Sequence, residues 1–211
     1  MRGDAEQVEV IPVVHREDEP PRELIIPAIS SAVTQEEAEA LAELARGKTV
    51  LELGAHYGFS TIVLASVADH VWSVDWHQGD IHAGLADSWA VYSSNIVRYG
   101  MEDRVTICHG RFEDEVPLLA GEGVTVDGAF IDGQHDVASV ERDTALALTL
   151  IRPGGFISWH DYGRGPHTGH HDFAITEVAD KFGVAGQVGY LAWGFVPEAE
   201  GAAREAGDQH K

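Results

Sequence analysis

The chain has 211 residues, enough for one domain with appended arms, and its 44% hydrophobic content is that of a globular protein with a real core. Acidic residues outnumber basic ones 35 to 14, for a formal charge of −21 at pH 7, and such a surface repels phosphate backbones, which argues against a nucleic-acid partner. No stretch nears the roughly 18 uninterrupted apolar residues of a membrane span, no apolar signal stretch opens the chain, and the lone Cys108 has no internal partner, so a cytoplasmic chain free of membranes and disulfides is expected, with Cys108 a buried, inert thiol.

Residues 1–30 are charged and carry Pro12, Pro20 and Pro21; they read as an arm or lid ahead of the domain proper, residues 31–196. Thr34 and Glu37 have the spacing of a capping box, and Ala38, Leu41, Ala42, Leu44 and Ala45 follow at helical spacing until Gly47. Thr49–Leu53 is a short apolar strand that runs directly into a glycine-bearing turn. The alternation then repeats, with a helix over 60–68, a strand over His70–Asp75, and a helix over 88–99 stopped by Gly100. Strands over 104–108 and Val126–Ile131 follow, then a long helix over 137–150 closed by the Arg-Pro-Gly-Gly turn at 152–155. Residues 156–160 form the fifth strand, 172–182 a helix, and 187–196 two closing strands. Such alternation predicts an α/β fold with a parallel sheet wrapped by helices on both faces. Residues 197–211, small, polar and acidic, read as a flexible tail.

The chemistry concentrates at strand ends. In V-L-E-L-G-A-H-Y-G-F-S, residues 50–60, Gly54 and Gly58 allow a tight turn and a close backbone approach to a ligand. The helix that follows aims free N–H groups at the crevice. The spacing is E-x-G-x-x-x-G, not the G-x-G-x-x-G that seats a pyrophosphate. Glu52 would repel a pyrophosphate yet could attract the cationic end of a cofactor; an ordinary strand-to-helix turn is the plain alternative. The next strand, V-W-S-V-D, ends at Asp75, where a carboxylate can hold a ribose diol.

Two further runs, V-D-G-A-F-I-D-G-Q-H and I-R-P-G-G-F-I-S-W-H-D-Y, complete the pattern, together with D-W-H-Q-G-D and the later S-S-N-I-V-R-Y-G-M-E-D-R-V. Over residues 34–196 the sequence resembles the class I S-adenosylmethionine-dependent methyltransferases, and among them the small-molecule O-methyltransferases of the catechol and macrolide-sugar type. The resemblance implies a Rossmann-like, doubly wound, seven-stranded sheet, mostly parallel with one antiparallel closing strand. It implies that Glu52, Gly54, Ala55 and Gly58 line the methionine part of the cofactor, with His56 and Tyr57 in the same loop and Ser60 capping the next helix. Asp75 would hold the ribose, Trp76 would lie beside the adenine, and Gly110, Arg111 and Phe112 would border it. Asp132 would stand at the crevice mouth.

Several members of that group bind a divalent cation at the acceptor site, and the resemblance implies Asp132, His160 and Asp161 as its ligands. The usual pair at the second position is Glu–Asp or Asp–Asn, oxygen donors that suit Mg²⁺. His160 departs from it: either a softer ion such as Mn²⁺, Fe²⁺ or Zn²⁺ binds, or His160 points elsewhere and no metal binds. His135, three residues after Asp132, stands where macrolide-sugar relatives carry a general base; a cap for the helix after Asp136 is its bland alternative. His167, His170 and His171 extend the cluster, or are an exposed polar loop. The implied activity is methyl transfer to a hydroxyl of a small-molecule acceptor. N-methylation, another use of the same cofactor, and a non-catalytic cofactor-binding protein are the alternatives, and a nicotinamide dehydrogenase is disfavoured by the glycine spacing. Small enzymes of this type often pair, so a homodimer is an expectation of the resemblance alone.

Overall fold

A computed structural model describes residues 22–79, 87–170 and 173–198. The first part of the expected arm, most of the tail, and His171 lie outside the described residues. The elements are α1 (Gln35–Ala45), β1 (Thr49–Leu53), α2 (Phe59–Val67), β2 (His70–Asp75), α3 (Trp89–Arg98), β3 (Val105–His109), α4 (Phe112–Gly121), β4 (Val126–Ile131), α5 (Val137–Leu148), β5 (Ile151–Trp159), α6 (Ile175–Phe182), β6 (Gly186–Val188) and β7 (Leu191–Phe195). They form one seven-stranded sheet of order β3-β2-β1-β4-β5-β7-β6. Only β7 runs antiparallel to its neighbours.

Period-2 alternation along β1 sorts side chains between two apolar layers. Val50 joins a layer built with Leu41, Ile62, Tyr92 and Ile96 from α1, α2 and α3. Leu51 and Leu53 face the other way, into a layer with Val116, Val140 and Val178 from α4, α5 and α6. Every residue of α2 is buried, as a helix that is apolar all round must be. It is covered by α1 and by Leu24, Ile25 and Ile29. Residues 22–30 of the expected arm or lid thus pack onto the domain. Arg22 reaches the Ala68 carbonyl and pairs with Asp69 at 3.2 Å, and the Ile25 N–H donates to Ser66 Oγ at 3.2 Å.

Two elements differ from the sequence reading. Helix α4 has no counterpart there; Pro117 lies inside it, and Glu113, Asp114 and Glu115 fill its first turn, where the helix dipole favours acids. Strand β5 starts at Ile151, so the Arg-Pro-Gly-Gly stretch is strand, next to a register shift between Val126 and Gly128. Cys108 is buried; burial, with Glu115 and Glu122 nearby, pushes its thiol up to about 12. Among the described residues no helix is long and apolar enough to cross a membrane.

Candidate active site

The strand order reverses between β1 and β4, and a crevice opens beyond the carboxyl ends of the strands at that switch point. Gly54 shapes it. Its φ of +99° is costly for any other residue, and a Cβ there would stand 2.2 Å from the Asp132 carbonyl oxygen. The cavity holds about 560 Å³, within the range of small-molecule sites. Its walls include Gly54, Ala55, His56, Tyr57, Ser60, Asp75, Trp76, Gly110, Arg111 and Phe112 toward one end. Asp132, His135, Asp161, Arg164, His170 and Phe173 line the other.

At the glycine-loop end, Asp75 does more than face the crevice. Its Oδ2 accepts from the backbone N–H groups of Ala55 and His56 at 2.7 and 2.8 Å, and its Oδ1 from that of His77 at 2.7 Å. The loop is thereby clamped to β2. The Arg111 guanidinium lies 3.9 Å over the Trp76 ring, where the sequence reading sets an adenine.

Three residues at this end have surroundings that the sequence does not show. Glu52 does not line the cavity: alternation along β1 turns it inward, fully buried. Its Oε1 accepts from Ser60 Oγ at 2.6 Å, and its Oε2 from Thr61 at 2.5 Å and Ser73 at 2.7 Å. Tyr92 donates in turn to Ser73 Oγ at 2.9 Å. Burial pushes the Glu52 carboxyl up to about 7, against the three hydroxyls that favour its charged form. Ser60 is no cap, since its hydroxyl is given to Glu52; the N-cap is Gly58, which makes no side-chain bond. Gly58 has a φ of +89°, and a Cβ there would lie 3.2 Å from the Tyr92 ring.

At the far end, Asp132 follows β4 and Asp161 follows β5. Asp161 adopts a left-handed φ of +62°, a conformation non-glycine residues seldom hold. His135 Nε2 is 2.8 Å from Asp161 Oδ2, and its ring stacks on Phe173 at 4.1 Å. The cap of α5 is Asp136, whose Oδ1 accepts from the Ser139 N–H at 3.2 Å, so His135 is not the cap.

His160 lies behind this pair. It is buried, with Nε2 3.3 Å from Glu37 Oε2 and Nδ1 3.5 Å from one oxygen each of Asp132 and Asp161. Burial opposes its protonation, but the charge of Asp132 and the contacts with Asp132, Asp161 and Glu37 push it up to about 12. Glu37 is fully buried as well. It accepts from the Thr34 N–H at 2.7 Å, closing the expected capping box, and from the Tyr190 N–H at 2.6 Å. Burial raises its pKa, yet the bonds from His160, Thr34 and Tyr190 prevail and hold it at about 2. Asp161 is likewise buried, and likewise held well below the carboxylate range by His135 and His160.

These donors fit a divalent cation. Ligand atoms of Asp132, His135 and Asp161 lie within 4.8 Å of one another, and the buried Asp161 Oδ1 has no aligned hydrogen-bond partner. This set differs from the expected one in holding His135 and not His160, whose Nε2 faces Glu37. Glu37, Arg164 and Phe173 had no site role in the sequence reading. Glu37 was visible only as a cap; its partner His160 is 123 residues away.

Residues 51–162, from β1 to just past β5, match the methyltransferase domain family. Over 135 residues the chain is 34% identical to a catechol O-methyltransferase of Niastella koreensis, covering 63% of this chain. It spans 58% of that protein's length and 17% of another curated relative's. Cofactor-bound Rv0187 from MTB is 27% identical with a TM-score of 0.63, over 82% of this chain and 84% of that one. The O-methyltransferase TomG from Streptomyces achromogenes, in complex with SAM, is 20% identical with a TM-score of 0.61, over 79% and 82%; this likeness speaks for the fold. With more than half of its length inside that family's boundaries and the sheet order and switch-point crevice described above, the chain belongs to the methyltransferase domain family, in the class I, Rossmann-like form that its strand-end motifs resemble.

Proposed function

We propose that the protein moves a methyl group from S-adenosylmethionine to a hydroxyl of a small-molecule acceptor. The observation that carries this reading is the convergence of Asp132, His135 and Asp161 on the β4–β5 side of the crevice. A relative that is a catechol O-methyltransferase supports oxygen as the methylated atom. The reaction is an in-line displacement in which the methyl carbon leaves the sulfonium for the acceptor oxygen, the sulfonium becomes a thioether, and the hydroxyl proton goes to a base. Catalysis needs positioning and one proton acceptor. His135, oriented by Asp161 and backed by Phe173, is placed to take that proton. Asp132, His135 and Asp161 are also the residues that would hold a divalent cation; with it bound, His135 would serve as a ligand and not as the base, and the cation would make an acceptor hydroxyl more acidic. One imidazole and two carboxylates favour Mn²⁺, Fe²⁺ or Zn²⁺ over Mg²⁺.

The test is calorimetry with S-adenosylhomocysteine and with NAD, followed by methylation of a simple catechol with and without a chelator. S-adenosylhomocysteine binds and NAD does not. Replacing His135 by Ala cuts turnover by about 100- to 10,000-fold while leaving S-adenosylhomocysteine affinity in place. Full activity in a folded His135→Ala protein removes that residue from the chemistry, and full activity after chelation removes the metal.

A further inference from the structure

We infer that Arg164 recognises a carboxylate on the methyl acceptor, so that this site selects acidic hydroxy compounds over neutral ones; the inference rests on the methyl-transfer reading above. Three arginines line the cavity. Arg142 is committed to Asp143, with Nε and Nη2 both 2.9 Å from Oδ1. Arg111 lies over Trp76 at the glycine-loop end, with Glu113 at 3.9 Å. Arg164 stands at the other end, beside Asp161 and His170, where an acceptor must sit to meet His135.

Its guanidinium is already held. The Tyr190 ring lies against its face at 4.3 Å, Nε is 2.7 Å from Asp161 Oδ1, and Nη1 is 3.5 Å from His170 Nε2. The contact with Asp161 lacks hydrogen-bond alignment, and Asp161 Oδ2 is taken by His135. Nη2 has no hydrogen-bond acceptor among the described residues. The planar fork is thus fixed before a ligand arrives, and a carboxylate can take its remaining N–H groups without the cost of ordering a long side chain.

The experiment compares 3,4-dihydroxybenzoate with 3,4-dihydroxybenzyl alcohol as acceptors for the wild type, Arg164→Gln and Arg164→Lys. Binding of both compounds to protein saturated with S-adenosylhomocysteine is measured in parallel by calorimetry. The wild type favours the acid by about 10- to 100-fold in kcat/KM, mostly through KM, and by a similar ratio in affinity. Arg164→Gln removes most of that ratio, and Arg164→Lys keeps part of it. Parity or a preference for the alcohol in the wild type overturns the inference whatever the variants do, and so does a preference that survives in folded Arg164→Gln. If neither compound is turned over, the affinity ratio still decides the role of Arg164, while the missing turnover counts against the methyl-transfer reading.

Discussion

Glu37 and Glu52 are both fully buried, yet the protein treats them in opposite ways. Glu52 lies beneath the glycine loop among hydroxyls, with no cation in contact among the described residues, and burial lifts it to about 7. Glu37, less deeply set, meets the His160 imidazole and two backbone N–H groups, and these outweigh its burial to hold it at about 2. Burial alone does not decide whether an interior acid is charged; the nature of its partners does. The difference maps onto the two ends of the crevice. A floor of hydroxyls that can satisfy a neutral acid supports the glycine loop. A charged pair, Glu37 with His160, stands behind Asp132 and Asp161, and each of those carboxylates has an oxygen 3.5 Å from His160 Nδ1.

The contrast breaks most sharply at Glu37. Replacing it by Ala takes the acceptor from three buried donors at once, His160 Nε2 and the Thr34 and Tyr190 N–H groups, a loss of about 3–5 kcal/mol. Urea unfolding measures it, and a loss below about 1 kcal/mol would mean that the contacts of Glu37 contribute little to the fold. Because the folded pKa of Glu37 lies below its unfolded value of 4.5, its contribution is present above about pH 4.5 and fades as the pH falls toward 2. Asp161, shifted in the same direction, adds to that acid limb.

Glu52 carries the opposite sign. Its folded value of about 7 stands above the unfolded 4.5. Between those values the native state binds the extra proton, so stability falls as the pH rises, by on the order of 3 kcal/mol, and levels off above about 7. The difference in unfolding free energy between the wild type and Glu52→Gln isolates this slope, since other titrations cancel. A flat difference from pH 4.5 to 7 would place Glu52 with Glu37 as a charged interior acid.

Next in size is Asp75→Ala, which weakens S-adenosylhomocysteine binding by about 1.5–3 kcal/mol in calorimetry. Asp75 also holds three loop N–H groups, so the variant loses some thermal stability as well. Unchanged affinity would leave Asp75 as a loop clamp alone.

Much of this frame was legible in the sequence, because hydrophobic period and glycine stops report local structure directly. The parallel core strands and the α1 capping box follow from spacing, and the crevice residues from Gly54 to Tyr57 from the family resemblance. Helix α4 was hidden because Pro117 interrupts its pattern. The inward turn of Glu52 was in principle readable from β1 alternation, but the acid's place beside Gly54 suggested a ligand. The roles of Glu37 and Arg164 were not legible, since each depends on contacts across the fold, with His160 for one and Tyr190 for the other. His160 was misplaced for the same reason: its neighbour Asp161 is visible in sequence, and the carboxylate behind it is not.

The smallest expected effect separates two things that Glu37 does at once. Its backbone N–H donates to Thr34 Oγ1 at 3.3 Å, and its side chain accepts from the Thr34 N–H while facing His160. Thr34→Ala removes the hydroxyl half of this box and leaves the Glu37 carboxylate with its other partners. The loss is then that of an ordinary N-cap, about 1 kcal/mol, restored by Thr34→Ser. The acid limb of stability is unchanged, because the group that titrates still meets His160. A Thr34→Ala loss as large as that of Glu37→Ala would mean that docking of α1, and not the buried charge pair, is what Glu37 supplies. A small loss with an intact acid limb assigns the larger effect to the contact between Glu37 and His160, and so to the acceptor end of the crevice.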